Sequence, residues 1–241
     1  MDPLLWIVII AVLGPIIGSV IGILRMPSFG YICNMLCFAA GVMLAISFLE
    51  LIPESLTISS LGISILGLIL GSLAMYGLDK IIPHIHPRLC TQEQGCNLER
   101  TSVYLILGML LHNFPEGMAI AIGSVTETRV SITIALAIAI HNIPEGICTS
   151  APYYHSTGKR IQAFLLSAST AIPILIGYVT ARYIFQQVSP QVVGLMISAT
   201  AGLMIYITAD ELIPNSCVGI NHHTIFSLIL GVVFVILLGG L

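Results

Sequence analysis

The stretch AGVMLAISFLELIPES, Ala40–Ser55, returns late in the chain as AGLMIYITADELIPNS, Ala201–Ser216. Nine of the sixteen aligned positions are identical, including Glu50-Leu51-Ile52-Pro53 against Glu211-Leu212-Ile213-Pro214 and a serine two residues beyond each proline. Apolar matches between hydrophobic segments arise easily; a shared Glu-Leu-Ile-Pro does not. A second duplication lies between these two: HNFPEG at His112–Gly117 and HNIPEG at His141–Gly146, each closing an apolar run.

The composition says where such segments live. Of 241 residues, 57% are hydrophobic and 8% charged, against roughly 25% charged in soluble domains. This chain cannot clothe itself for water and is read as an integral membrane protein. With about 20 apolar residues needed per crossing, uncharged runs predict spans at Pro3–Leu24, Ser28–Leu49 and Ser55–Leu78. Thr101–Leu111 and Val130–Ile140 follow, each extended by one motif, then Ile161–Ala181, Tyr183–Ala209 and Thr224–Leu241. The first run is too long for a signal-peptide core and no basic residue precedes it.

Basic residues set the expected orientation. With both termini outside, inner loops hold Arg25, Lys80, Arg88, Arg100, Lys159 and Arg160, and outer loops only Arg129 and Arg182. The second and seventh spans, carrying the long repeat, then run in opposite directions, as do the fourth and fifth, carrying HNxPEG. The predicted fold is all-α: one transmembrane domain over 1–241 with eight helices. Helices 1–3 and 6–8 form inverted repeats around a central 4/5 pair, and 80–100 forms a cytoplasmic loop. Inverted repeats of this kind place the substrate site near the bilayer midplane, at helices broken by Gly or Pro.

On a helix, His112, Asn113 and Glu116 share one side, as do His141, Asn142 and Glu145. Pro115 and Pro144 each remove a backbone hydrogen bond, to Leu111 and Ile140, and are expected to break their helices. A carboxylate at membrane depth costs ~2.5–3.5 kcal/mol on insertion scales. No lysine or arginine lies in these spans to neutralise two of them. A divalent cation would. Two imidazoles, two carboxylates and two amide oxygens suit Zn²⁺ and other first-row metals better than Mg²⁺ or Ca²⁺. Interhelical hydrogen bonding alone accounts for one His or Asn, not for two glutamates each placed four residues after a histidine.

Paired HNxPEG segments in the fourth and fifth of eight spans resemble the ZIP family of zinc/iron-type metal transporters, particularly its GufA/ZupT-like branch. The resemblance covers essentially the whole chain. It implies a mid-membrane metal site, often binuclear, with His112, Glu116, His141 and Glu145 holding one ion. Asn113 and Asn142 would help hold a second, with the glutamates bridging. It further implies transport toward the cytoplasm by an elevator-like or rocking alternation of two helix groups. The metal is cargo, with no cofactor expected: Zn²⁺ foremost, then Fe²⁺, Mn²⁺, Co²⁺ or Cd²⁺. One position departs from the family pattern. Where many relatives carry a glutamate before a proline in the sixth span, this chain has Ile172 before Pro173, so Ile172 is expected to face the asparagines without ligating.

Secondary candidates flank this centre. Glu50, with Glu54 one turn on, is placed at an outer entrance, and Asp210 and Glu211 at an inner exit. His84 and His86, with Cys90 and Cys96, sit in the inner loop, where thiols stay reduced, and the spacing matches no closed zinc motif. His222 and His223 are weaker still. The six cysteines form no disulfide framework. Gly14, Gly18 and Gly22, and Gly67 and Gly71, make small-residue stripes for close helix packing within the chain or, alternatively, across a homodimer seam.

Other functions fit less well. A metal-gated channel or receptor would use the same ligands. An intramembrane metallohydrolase would need a His-Glu-x-x-His that is absent. Gly158-Lys159 is followed by Arg160 in place of Ser or Thr, so no P-loop powers transport. No basic patch suggests nucleic acid, and the expected surroundings are a lipid bilayer, a bacterial inner membrane or its equivalent. The topology has a direct check. Single cysteines at Thr91 and Gln187, in a background without native thiols, should label from opposite sides; labelling of both from outside would overturn the inverted arrangement.

Overall fold

A computed structural model describes residues 3–81, 98–126, 128–184, 189–216 and 223–239. Among these, every regular element is helical and none is a strand. Eight rods follow in order: α1 (Pro3–Ile23), α2 (Phe29–Ile58), α3 (Leu61–Ile81), α4 (Leu98–Thr126), α5 (Thr128–Thr157), α6 (Arg160–Tyr183), α7 (Pro190–Ser216) and α8 (His223–Gly239). By length and composition α1, α2, α6 and α7 can each cross a membrane, and α3 and α8 carry shorter apolar stretches.

Local chemistry explains the ends. The Ser28 hydroxyl accepts from the Tyr31 amide at 3.2 Å and opens α2, and Ser189 does the same for Val192 at 3.4 Å ahead of Pro190. These serines satisfy first-turn amides that have no helical partner. Between α5 and α6, Gly158 takes φ 69°, a left-handed turn that a side chain would strain.

The helices run further than the apolar runs suggest. Glu50–Pro53 and Glu211–Pro214 do not end their helices but lie inside α2 and α7. In each, the five residues before the Ile-Pro form a π turn, Ser47–Leu51 and Thr208–Leu212. Ile52 N–H reaches back to the Ser47 carbonyl and Ile213 N–H to that of Thr208. Proline supplies no amide to a normal helical ladder, and the wider turn lets the chain pass it. Pro115 and Pro144 likewise sit within continuous helices, where breaks were expected. At membrane depth proline is tolerated inside a helix where neighbouring groups satisfy the carbonyl it frees.

Packing repeats as the sequence does. The α1 helix lies along α5 and α6 along α4; α2 lies along α8 and α7 along α3. The correspondence reaches single residues. Gly41 and Gly202, at one place in the repeat, abut the backbone of Leu228 in α8 and Leu68 in α3. Gly117 and Gly146, which end the two motifs, abut Ile174 in α6 and Pro15 in α1. The glycine stripes of α1 and α3 also pack within the chain, Gly18 against Ile143 and Gly71 against Ala199.

Two apolar clusters result. One joins Ile7, Val8, Met118, Ile138, Ile174 and Tyr178 from α1, α4, α5 and α6. The other gathers Leu36, Met43, Met75, Met109, Met204 and Ile207 from α2, α3, α4 and α7. A Cβ at Gly202 would overlap the Leu68 carbonyl, whereas one at Gly77 meets nothing within 4 Å. Gly202→Ala should therefore cost ~1–3 kcal/mol, as overpacking does, and lower the thermal midpoint in detergent. Gly77→Ala should be neutral or stabilising by up to ~1 kcal/mol through helix propensity. Equal midpoints for the two variants would remove the close-packing argument.

Candidate metal centre

The two motifs meet where α4 crosses α5. His112 and Glu116 lie one turn apart on α4. The α5 helix presents His141, Asn142 and Glu145. All six motif side chains are buried, Glu116 being the most accessible at 8%. A Cβ at Gly117 or Gly146 would push α6 or α1 away, so the last residue of each motif holds its helix against a supporting one.

Glu116 is the hub. Its Oε1 lies 2.8 Å from His141 Nε2 and 2.9 Å from His112 Nε2. The first contact is a hydrogen bond; the second has the distance without the hydrogen-bond geometry. Its Oε2 accepts from Asn142 Nδ2 at 3.0 Å. Glu145 stands apart: its nearest imidazole contact is His112 Nε2 at 3.6 Å, and neither carboxylate oxygen has a hydrogen-bond donor. Asn113 Nδ2 turns the other way and donates to the Thr170 carbonyl of α6 at 2.6 Å.

The site is rich in acceptors and poor in donors. Asn113 Oδ1, Asn142 Oδ1, both Glu145 oxygens and both ring nitrogens of His112 are buried without a hydrogen-bond partner. Such groups cost ~1–3 kcal/mol each when left unsatisfied. No Lys or Arg occurs between Thr101 and Thr128, or between Val130 and Gly158. What would satisfy these atoms is a cation. Ligand atoms of His112, Glu116 and His141 all fall within 4.8 Å of one another, compact enough for one metal ion to touch all three.

One turn along α5, a knot of hydroxyls supports the site, and no residue pattern announces it. Thr149 Oγ1 donates toward the Glu145 carbonyl at 3.0 Å and lies 2.5 Å from Ser167 Oγ of α6. Ser167 is in turn 2.7 Å from Ser19 Oγ of α1. Serines and threonines are too common in membrane helices for such a cluster to be recognised from a single sequence.

The remaining candidates separate. Glu50 and Glu54 are exposed on α2. Glu211 is buried on α7, where Asn215 Nδ2 donates to its Oε2 at 2.8 Å and to its carbonyl at 2.7 Å; Asp210 beside it is half-buried. His84, His86, Cys90, Cys96 and His222 lie outside the described residues, and His223 is exposed at the start of α8. Ile172 is a correction. It is 53% exposed on the outer side of α6 and does not face the asparagines. The 3₁₀ turn at Ser169–Ala171 sets this register, and the group that meets Asn113 is the backbone of Thr170.

A family model described as "ZIP Zinc transporter" matches residues 88–239. The chain is 37% identical over 207 residues to "Zinc transporter ZupT" of Escherichia coli O127:H6 (strain E2348/69 / EPEC), covering 82% of this chain and 80% of the relative. Proteins of that name from Escherichia coli O1:K1 / APEC and Escherichia coli (strain K12 / DH10B) are each 36% identical over the same shares. The chain belongs to the ZIP zinc transporter family. Both HNxPEG motifs lie inside the matched region, together with the repeat copy that holds Glu211.

The unequal surroundings of the two motif glutamates in this ZIP protein are testable without transport. In chelator-treated protein, Glu116→Gln should lower stability by ~1–3 kcal/mol, since one carboxylate oxygen that accepts from His141 or Asn142 is lost. Glu145→Gln removes a buried carboxylate that accepts no hydrogen bond and should cost nothing or stabilise. Thermal unfolding of both variants checks this; equal losses would deny Glu116 its place as hub.

Proposed function

We propose that the chain is a secondary transporter that carries divalent transition-metal ions, Zn²⁺ foremost, toward the cytoplasm by alternating access. One observation carries the reading: His112 and Glu116 from one motif converge with His141 from the other on a volume one ion can fill, in a chain of the ZIP family. The names of its relatives support Zn²⁺ as cargo. Glu145 completes the first coordination shell, moving toward the ion as it enters, and the oxygens of Asn113 and Asn142 extend the site toward a second ion. Two glutamates balance the charge of one divalent cation, which makes a lipid-surrounded chain a tolerable host for it.

The repeated packing supports an eight-span, inverted arrangement, and the distribution of basic residues supports both termini outside with residues 80–100 in the cytoplasm. It also suggests the moving parts. The close glycine contacts join α1 to α5, α4 to α6, α2 to α8 and α3 to α7, and one apolar cluster ties the first two pairs into a set. Between the two sets, Gly108 of α4 faces the tips of Ile207 and Met75. Backbone-to-backbone packing holds each set rigid, while side-chain tips can slide. The set that carries both motifs would move against the other.

Reconstituted in liposomes, the protein should take up Zn²⁺ in a saturable way. Glu116→Gln and His141→Ala should each reduce the initial rate at least tenfold, to near that of empty liposomes. Metal ligands must be deprotonated to bind, so apparent Zn²⁺ affinity should weaken as the pH falls from neutral into the acidic range. Uptake unchanged in both variants, with an affinity indifferent to pH, would discard this site as the transport site.

A further inference from the structure

We infer that the 3₁₀ turn of α6 is a positioning element for metal binding: the Thr170 carbonyl fixes the Asn113 amide so that its Oδ1 faces the metal centre. The inference rests on the metal-site reading above and adds an unequal role for two asparagines that the motifs make look equivalent.

The geometry leaves the amide one orientation. A backbone carbonyl only accepts, so the atom 2.6 Å from Thr170 O must be the nitrogen of Asn113. The oxygen is then directed elsewhere, and it is buried with no hydrogen-bond donor. Asn142 is held differently. Its nitrogen donates to Glu116 Oε2, a group that itself belongs to the proposed metal shell. An ion that draws in Glu116 disturbs the support of Asn142 but leaves that of Asn113 untouched.

The inequality has a cause in the chain. Pro173 has no amide to give the Ser169 carbonyl, and Ile172 N–H serves that carbonyl instead through the 3₁₀ turn Ser169–Ala171. The Thr170 hydroxyl bonds to the Ser167 carbonyl at 2.8 Å, holding the turn from within, and α4 packs directly on it. In the repeat, α1 stands to α5 as α6 stands to α4, with Gly18 against Ile143 answering Gly177 against Phe114. At the matching level, residues 10–12, α1 is uninterrupted α-helix. Pro15 leaves the Ala11 carbonyl there without its helical amide, yet the Asn142 nitrogen donates to Glu116 Oε2 instead.

Asparagine-to-aspartate exchange tests this, because it keeps the shape and replaces the donating nitrogen with an oxygen. If Asn113 were a ligand and nothing more, Asn113→Asp would add charge beside the cation and tighten binding. On the anchor inference, the new oxygen is repelled by the Thr170 carbonyl and the side chain swings off target. Zn²⁺ binding by the purified full chain in detergent should then weaken at least fivefold. Asn142→Asp sets its new oxygen against Glu116 Oε2, a carboxylate that the ion itself draws in and neutralises, so it should bind Zn²⁺ as tightly as the native protein or more tightly. Glu116→Gln, measured beside them, separates the two levels of argument: if it binds Zn²⁺ like the native protein, the metal-site reading itself falls. If Glu116→Gln abolishes binding while Asn113→Asp binds as well as native or better, the anchor is overturned. Equal weakening in the two aspartate variants also overturns it. A purely structural role for Asn113 would lower the melting temperature of Asn113→Asp and leave its Zn²⁺ affinity alone, which counts against the inference as well.

Discussion

A carboxylate inside an apolar helix bundle needs a counter-charge, and this chain provides no lysine or arginine near Glu116 or Glu145. That constraint organises the centre. Glu116 draws in two imidazoles and one amide, which brings α4 and α5 together at the level of their motifs. For the side chains to meet, the helices must lie close, and Gly117 and Gly146 provide room for α6 and α1 to support them from behind. Glu145 completes an arrangement with more acceptors than donors. A protein whose only task was to stay folded would gain by replacing these groups with leucine. Their presence together is best understood as a binding site for something positive.

Much of this was legible from spacing alone. The four-residue interval between His112 and Glu116 brings their atoms to 2.9 Å, as helical geometry requires, and the copy at His141 lands on the same carboxylate. Helix boundaries were less legible. Glu50–Pro53 and Glu211–Pro214 looked like ends because charge and proline arrive together; the π turns that carry the helices past them leave no simple signature in sequence. Ile172 was misplaced for a related reason. The family pattern puts a ligand just before Pro173, but here the 3₁₀ turn at Ser169–Ala171 precedes it, Asn113 meets the Thr170 carbonyl, and the Ile172 side chain is exposed. Thr170 acts through its backbone, which no residue type announces.

The apolar seam between the two sets of helices has its own chemistry. Met43, Met75, Met109 and Met204 are all deeply buried in the same cluster, drawn from four helices. Methionine is unbranched and adapts to more than one packing. The other cluster sets the branched Ile7, Val8, Ile120, Ile138 and Ile174 beside four alanines, side chains with few rotamers to offer. Stiff packing inside the motif-bearing set and compliant packing along its border agree with the glycine contacts, which meet backbone at Gly18, Gly117 and Gly177 and side-chain tips at Gly108. On the transport reading, this is what a body that moves without deforming requires.

Repetition in sequence does not make the two halves alike in structure, and one substitution shows why. Glu50 and Glu211 hold the same place in the long repeat, each inside its π turn. Glu211 is 2% exposed, whereas Glu50 faces outward. One turn further on, the repeat offers Asn215 in α7 and Glu54 in α2. Asn215 can donate, and it does so twice, to the Glu211 carboxylate and to its carbonyl, which lets the acid remain covered. Glu54 has nothing to donate while ionised. It adds a second negative charge beside Glu50, and like charges one turn apart repel, so both are better solvated than buried. The α2 end therefore opens where the α7 end closes. The two halves thus differ in how far a shared acid is covered, and the Glu-for-Asn exchange beside the common Glu-Leu-Ile-Pro gives that difference a chemical cause.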